Sequence, residues 1–128
     1  MSGACSILIA DDNSDVRDAL AVALRAEGYR VRAARDAYEA QRMFASSHSD
    51  VVLSDIRMPG DGMTLLRRVH DMSPETPVIL MTGFEQPGDR RRALAGGARE
   101  FLLKPVIGER LRSVLRRVLG GRASDAAE

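Results

Sequence analysis

Short apolar runs alternate with helix-spaced apolar positions along the whole chain. The runs are Cys5–Ala10, Tyr29–Ala33, Val51–Ser54, Val78–Met81 and Phe101–Leu103. Three of them are nearly continuous in hydrophobic residues and end in turn or acidic residues, the pattern of a parallel strand covered on both faces. Tyr29–Ala33 alternates instead, which suits a strand nearer the edge. Between the runs, Val16, Leu20, Ala23 and Leu24 fall on one face of a helix that Ser14 is placed to cap and Gly28 to stop. Asp36 is placed to cap a second helix with Ala40, Met43 and Phe44 turned inward. A third follows Gly62 with Leu65, Leu66 and Val69, ending at Ser73-Pro74. A fourth takes Pro87 in its first turn and stops at Gly96-Gly97. The fifth carries Ile107, Leu111, Val114, Leu115 and Val118 and stops at Gly120-Gly121.

Five strand–helix units with short connections predict an α/β doubly wound sandwich, flavodoxin-like, with one parallel five-stranded sheet of order 2-1-3-4-5. Residues 5–121 form the domain and 122–128 a disordered tail or linker stub. At 128 residues the chain is one domain's worth, and 45% hydrophobic with 29% charged residues is the balance of a globular protein. No apolar run approaches the ~20 residues of a membrane span, and no signal-peptide layout opens the chain, so the expected location is cytoplasmic, with no membrane contact. The single Cys5 excludes an internal disulfide and a cysteine zinc site. A net charge of +1 gives no footprint for nucleic-acid binding. Among the basic residues, Lys104 is the lone lysine beside many arginines, which marks a place where a compact point charge serves better than a planar fork.

In such a sheet, ligands bind beyond the carboxyl ends of the strands where the strand order reverses. The polar residues there are Asp11-Asp12 after the first strand, Asp55 after the third, Thr82-Gly83 after the fourth and Lys104-Pro105 after the fifth. An aspartate after a strand is often only a turn residue or a cap. Three of them converging repel unless a cation joins them. Oxygen-only ligands with room for water fit Mg²⁺, with Mn²⁺ as an alternative, better than zinc or an all-protein calcium cage. His48 and His70 lie away from these ends and read as surface residues. A carboxylate, a hydroxyl and a lone ammonium around such an ion are the equipment for phosphoryl transfer, in which positioning and charge neutralisation dominate. Asp55 then reads as the nucleophile, Asp11 and Asp12 as metal ligands, and Thr82 and Lys104 as phosphoryl-oxygen binders.

At these residues the sequence resembles the receiver domain of two-component response regulators, a CheY-like fold. The matching stretches are Ala10–Asp12, Ser54–Pro59, Met81–Gly83 and Phe101–Pro105, in order and each at a strand end. The wording of Ser54–Gly60 and Pro77–Gly83 is closest to the nitrogen-regulator and C4-dicarboxylate-transport-regulator class. The resemblance implies a phosphorelay function: Asp55 accepts a phosphoryl group from a sensor histidine kinase or phosphotransfer protein. It also implies a metal-binding backbone carbonyl at Arg57, a switch pair Thr82 and Phe101, and a small pocket residue Gly83. Pro105 is expected after a cis peptide bond, and Arg57 and Phe84 are expected to tune the rate. It further implies a homodimer through helix 4, strand 5 and helix 5, with Asp89, Glu100 and Glu109 as acids for the arginines there, and a transcription output carried by another domain. Val16, Ala19 and Ala23 on the first helix would face the kinase. The segment Met58–Gly62 is one residue shorter than the family pattern, which touches the start of the third helix and the kinetics but no ligand. The rival classes are a Mg²⁺-dependent phosphatase, which favours Asp-x-Asp where Asp11-Asp12 are adjacent, and a receiver that binds partners without phosphorylation. An FMN carrier lacks its Ser/Thr-rich phosphate loop, and GxxxxGK[ST] is absent.

Overall fold

The computed structural model describes residues 4–106 and 108–120. The elements follow in strict alternation: β1 (Ser6–Ala10), α1 (Ser14–Ala26), β2 (Arg30–Ala34), α2 (Ala37–Ser46), β3 (Val51–Asp55), α3 (Gly62–Met72), β4 (Val78–Thr82), α4 (Asp89–Ala95), β5 (Glu100–Leu103) and α5 (Gly108–Leu119). The sheet is parallel throughout, in the order β2-β1-β3-β4-β5.

Both faces of the sheet are covered, which is why the central strands read as unbroken apolar runs. Alternate residues of one strand serve opposite cores: Ile7, Ile9, Leu53, Ile79, Met81 and Leu102 meet α1 and α5. Leu8, Val52, Leu80 and Phe101 meet α2, α3 and α4 on the other side. β2 lies at an edge and has the mixed burial that its alternating sequence predicts. Ile107 and the segment 121–128, including the predicted stop at Gly121 and the predicted tail, lie outside the described residues.

Three local expectations are corrected. The cap of α1 is Asn13, not Ser14: the Asn13 carboxamide oxygen accepts from the Asp15 and Val16 N–H groups at 2.9 and 3.1 Å. Ser14 is already the first helical residue. Pro87 lies before α4 rather than in its first turn, because the left-handed Gly88 (φ 88°) intervenes as cap. β3 and β4 each run one residue further than predicted, since Asp55 pairs with Met81 and Thr82 with Leu103 in the ladder. The acceptor candidate and the hydroxyl therefore stand on the sheet itself, a rigid support, and not on the loops that follow.

The order reversal falls between β1 and β3. Chain leaving β1 goes outward to β2, and chain leaving β3 goes the other way to β4, so the two carboxyl ends diverge around a crevice. That crevice is where the polar strand ends meet.

Candidate functional site

Asp11, Asp12 and Asp55 each offer a carboxylate oxygen within 4.8 Å of the others'. The loop after β1 aims the first of these: Asp11 Oδ1 accepts from the Asn13 N–H at 2.9 Å, and Arg17 Nη1 donates to the Asp11 carbonyl at 2.8 Å. Because Asn13 takes the helix-capping duty, neither aspartate is needed for it. Asp12 is exposed, while Asp11 is fully buried and Asp55 nearly so.

Lys104 closes the cluster from β5. Its Nζ lies 2.8 Å from Asp11 Oδ2 and 3.0 Å from Asp55 Oδ2. The bond to Asp55 is well directed; Asp11 Oδ2 meets the ammonium off-axis and has no aligned donor of its own. The Lys104 N–H donates to the Thr82 carbonyl at 2.8 Å, fixing the stem, and the Lys104-Pro105 peptide is cis.

These contacts set the protonation balance. Burial raises the Asp55 pKa; the Lys104 hydrogen bond and charge pull against it and the neighbouring Asp11 charge adds to it, for a net rise. For Lys104, burial disfavours the ammonium, but its bonds to Asp11 and Asp55 outweigh that and its pKa is raised.

Three carboxylates against one ammonium leave two formal negative charges within one small region. An all-oxygen donor set with that charge fits a hard divalent cation.

Thr82 lies beside the cluster. Its hydroxyl donates to the Phe84 carbonyl (3.2 Å) and accepts from the Phe84 N–H (3.3 Å) and from Arg57 Nη1 (3.4 Å). Phe84 is 74% exposed and meets Thr82 through its backbone. The Arg57 N–H donates to Asp55 Oδ1 at 3.2 Å, which puts the Arg57 peptide against the Asp55 carboxylate. A methyl group at Gly83 would meet nothing closer than Lys104 Cδ at 3.9 Å, so alanine fits there and longer side chains run toward the lysine.

Phe101 is buried in the core beneath α4. Arg90 stacks over its ring at 4.7 Å from the centroid and donates to its carbonyl at 3.2 Å.

The shortened loop is accommodated by two consecutive residues with positive φ, Gly60 (85°) and Asp61 (70°). Its exit presses on the end of β3. A Cβ at Gly62 would stand 2.1 Å from the Asp55 carbonyl oxygen and 2.7 Å from Ile56 Cα, so only glycine fits. Sequence reading placed Gly62 as a helix start and missed this constraint.

One member of the acid set for a dimer face, Asp89, needs correction. Asp89 is fully buried and bound by Arg57 and Arg92 at 2.9 Å each, so it offers nothing to a second chain. Glu100 pairs with Arg117 (2.7 Å), and Glu109 with Arg112 and Arg116 (3.0 and 3.1 Å), all within the chain. His48 pairs with Asp50 and His70 lies exposed on α3; neither is near the cluster.

The family model of the response regulator receiver domain matches residues 7–116. The chain belongs to the response-regulator receiver family. Among curated relatives, this receiver is 36% identical over 118 residues to the C4-dicarboxylate transport transcriptional regulatory protein DctD of Rhizobium meliloti, covering 91% of this chain and 26% of the relative. It is 38% identical over 114 residues to the regulatory protein AtoC of Escherichia coli, covering 88% and 25%. The receiver thus spans about a quarter of the length of these relatives. Among solved structures, the receiver domain of NtrX from Brucella abortus superposes with a TM-score of 0.82 at 34% identity, covering 88% of this chain and 97% of that one. A receiver domain protein from Methanospirillum hungatei gives 0.88 at 28% identity, covering 95% and 98%. These relatives agree with the regulator class that the motif wording resembles. The receiver family is a signalling family rather than a family of metabolic enzymes. Among the described residues, no helix is long and apolar enough to cross a membrane.

Proposed function

We propose that the chain is a phosphorylation switch in which Asp55 accepts the phosphoryl group. The observation that carries this reading is the placement of Lys104, hydrogen-bonded to Asp55 and ion-paired with the buried Asp11 at the sheet's carboxyl edge. An Asp55 oxygen attacks the phosphorus of a kinase phosphohistidine, forming an acyl phosphate O–P bond as the P–N bond breaks. The leaving imidazole nitrogen takes up a proton. Lys104 follows the developing charge on the phosphoryl oxygens as a point charge, and the Thr82 hydroxyl moves from the Phe84 backbone to a phosphoryl oxygen. Asp11, Asp12, Asp55 and the Arg57 carbonyl would hold Mg²⁺, or Mn²⁺ in its place, and an ion held there would supply positive charge to offset that of the carboxylate and of the phosphoryl oxygens. Hydrolysis of the acyl phosphate resets the switch; Arg57 and Phe84, two residues past Asp55 and Thr82, tune its rate.

Partner surfaces follow from the same frame. Ala19 and Ala23 are exposed and Val16 is half-buried against the core, and all three line a groove of about 420 Å³ between α1 and the Pro105–Val106 loop, with Lys104 also in its lining. An apolar groove that shares Lys104 with the acidic cluster suits the helix of a kinase or phosphotransfer protein. On the α4–β5–α5 side, Leu94 and Leu103 are half exposed amid arginines. A beryllofluoride-activated NtrC4 receiver domain dimer resembles this chain at a TM-score of 0.84 and 28% identity; we extend dimerisation to this receiver and assign it to the α4–β5–α5 face. The relatives' names make transcription the proposed output, exerted from the cytoplasm, with residues 5–121 as the signalling unit.

Acetyl phosphate with Mg²⁺ followed by intact-mass measurement tests the reading. One phosphoryl adduct is expected, absent without Mg²⁺ and absent in Asp55→Asn. An unlabelled wild-type chain favours a receiver that works without phosphorylation, and turnover of a phosphate ester favours a phosphatase.

A further inference from the structure

Arg57 makes three connections that no other described feature of the site joins. Its N–H donates to Asp55 Oδ1 at 3.2 Å, its Nη1 to Thr82 Oγ1 at 3.4 Å and its Nη2 to the Asp89 carboxylate at 2.9 Å. The last of these is unusual in its setting. Asp89 opens α4, is completely buried, and also accepts from Arg92 Nη2 at 2.9 Å and from the Gln86 N–H at 2.8 Å. A carboxylate with three donors stays ionised in a place where charge is otherwise costly. It does not cap its helix from the cap position, which Gly88 occupies without a side chain.

Two guanidinium groups share this one anion, and they are unequal. Arg92 belongs to the same helix turn, whereas Arg57 reaches across from the loop that follows the acceptor. If Arg57 leaves, Asp89 keeps Arg92 and the Gln86 N–H, so departure strands no buried charge. The tether is therefore built to be released, unlike a pair whose rupture orphans one partner.

We infer that Asp89 is a positioning residue of the phosphoacceptor site: it draws the Arg57 guanidinium across Thr82 and away from Asp55, and competes for it with the phosphoryl group. The inference rests on the phosphoacceptor reading above. A phosphoryl group adds roughly two negative charges next to the Arg57 peptide, and Thr82 leaves Arg57 when it turns to the phosphoryl oxygens. Arg57 then follows the larger charge, and the first turn of α4 loses one of its two cationic ties. By linkage, weakening the tether must strengthen binding of the phosphoryl mimic by the same factor that the mimic weakens the tether.

Titration with beryllofluoride and Mg²⁺, followed by ¹⁹F NMR, tests this. Asp89→Asn is expected to bind the mimic about tenfold more tightly than wild type. Removing any nearby negative charge also favours an anion, so Glu85→Gln is the control. Glu85 lies in the same loop but pairs with Arg90, and its loss is expected to change affinity less than twofold. In an Arg57→Gln background, Asp89→Asn is expected to have no further effect, because the residue acts through Arg57. Unchanged or weaker binding by Asp89→Asn overturns the tether, as does an equal gain in Glu85→Gln or a gain that survives without Arg57. Should Asp89→Asn fail to fold, ¹⁵N-arginine spectra of the wild-type chain decide. The Arg57 side-chain signal must shift when the mimic binds, and a stationary signal overturns the inference. A wild-type chain that binds no beryllofluoride overturns the phosphoacceptor reading itself; wild-type binding with unaltered affinity in Asp89→Asn overturns the tether alone.

Discussion

Replacing Lys104 by methionine keeps the length of the stem and removes the ammonium that sits 2.8 and 3.0 Å from two carboxylates. At that separation and an effective dielectric of about 20, the gross attraction is roughly 6 kcal/mol per pair. Desolvation of the ions cancels most of it. Removing one partner of a buried pair costs about 3–5 kcal/mol, largely because the other is left uncompensated. Asp11 is fully buried but the Lys104 side chain is 18% exposed, so the lower end applies, about 3 kcal/mol at neutral pH without metal. For a chain of this length that is a fall of roughly 10 °C in Tm. The cost must also depend on pH. Lys104 holds the Asp55 pKa down against burial, so its loss raises that pKa further. A raised carboxyl pKa means stability that is full below the unfolded value and lost as pH rises through the folded one. The gap between Lys104→Met and wild type should therefore be widest near pH 7 and shrink toward pH 4. Divalent cation should also narrow it, because binding to the native state alone stabilises that state by mass action. Urea unfolding followed by circular dichroism across pH, with and without Mg²⁺, reads all three effects. A variant equally destabilised at every pH, or one as stable as wild type near pH 7, would show that Lys104 does not neutralise this cluster.

Other expectations follow from the same contacts. Because the Asp55 pKa is raised above its ordinary 3.8, ionised Asp55 works against the fold. Asp55→Asn should therefore be more stable than wild type at pH 7 without metal, with the advantage vanishing below the ordinary value; thermal melts at the two pH values check this. Gly62→Ala drives a methyl group into the backbone of Asp55 and Ile56 and should cost about 3 kcal/mol or more, together with slower acetyl phosphate labelling; wild-type melting would contradict the close approach. Asn13→Ala should cost about 1 kcal/mol of stability, and Ser14→Ala less than about half of that; chemical denaturation ranks the two. Arg90→Ala should cost roughly 0.5–1 kcal/mol through its lost contact with the Phe101 ring, read as a shift in urea midpoint at constant slope.

What could be read from the sequence was whatever periodicity and strand ends carry. Apolar runs covered on both faces are continuous, so β1, β3 and β4 announced themselves, and a polar residue closing such a run can only sit at the sheet's carboxyl edge. That made Asp11, Asp55, Thr82 and Lys104 visible as a group despite their separation along the chain. Asp89 was not visible. In the segment Gly88-Asp89-Arg90-Arg91-Arg92, charge predicts exposure, and only tertiary placement reveals that one carboxylate turns inward to meet an arginine from the loop after β3. Asn13 and Ser14 are both good caps side by side; the choice was made by Asp11, which binds the Asn13 N–H and fixes where the turn begins. The demand for glycine at position 62 came from backbone proximity, which leaves no trace in hydropathy.

The central claim is that Asp55, and not its acidic neighbours, takes the phosphoryl group. Borohydride reduction of the chain after treatment with acetyl phosphate and Mg²⁺ converts an aspartyl phosphate to homoserine, and peptide mass mapping locates it. Conversion confined to Asp55, and lost when Mg²⁺ is chelated, is the predicted result. Conversion at Asp11 or Asp12, or a stable label on a hydroxyl or imidazole side chain, would contradict it.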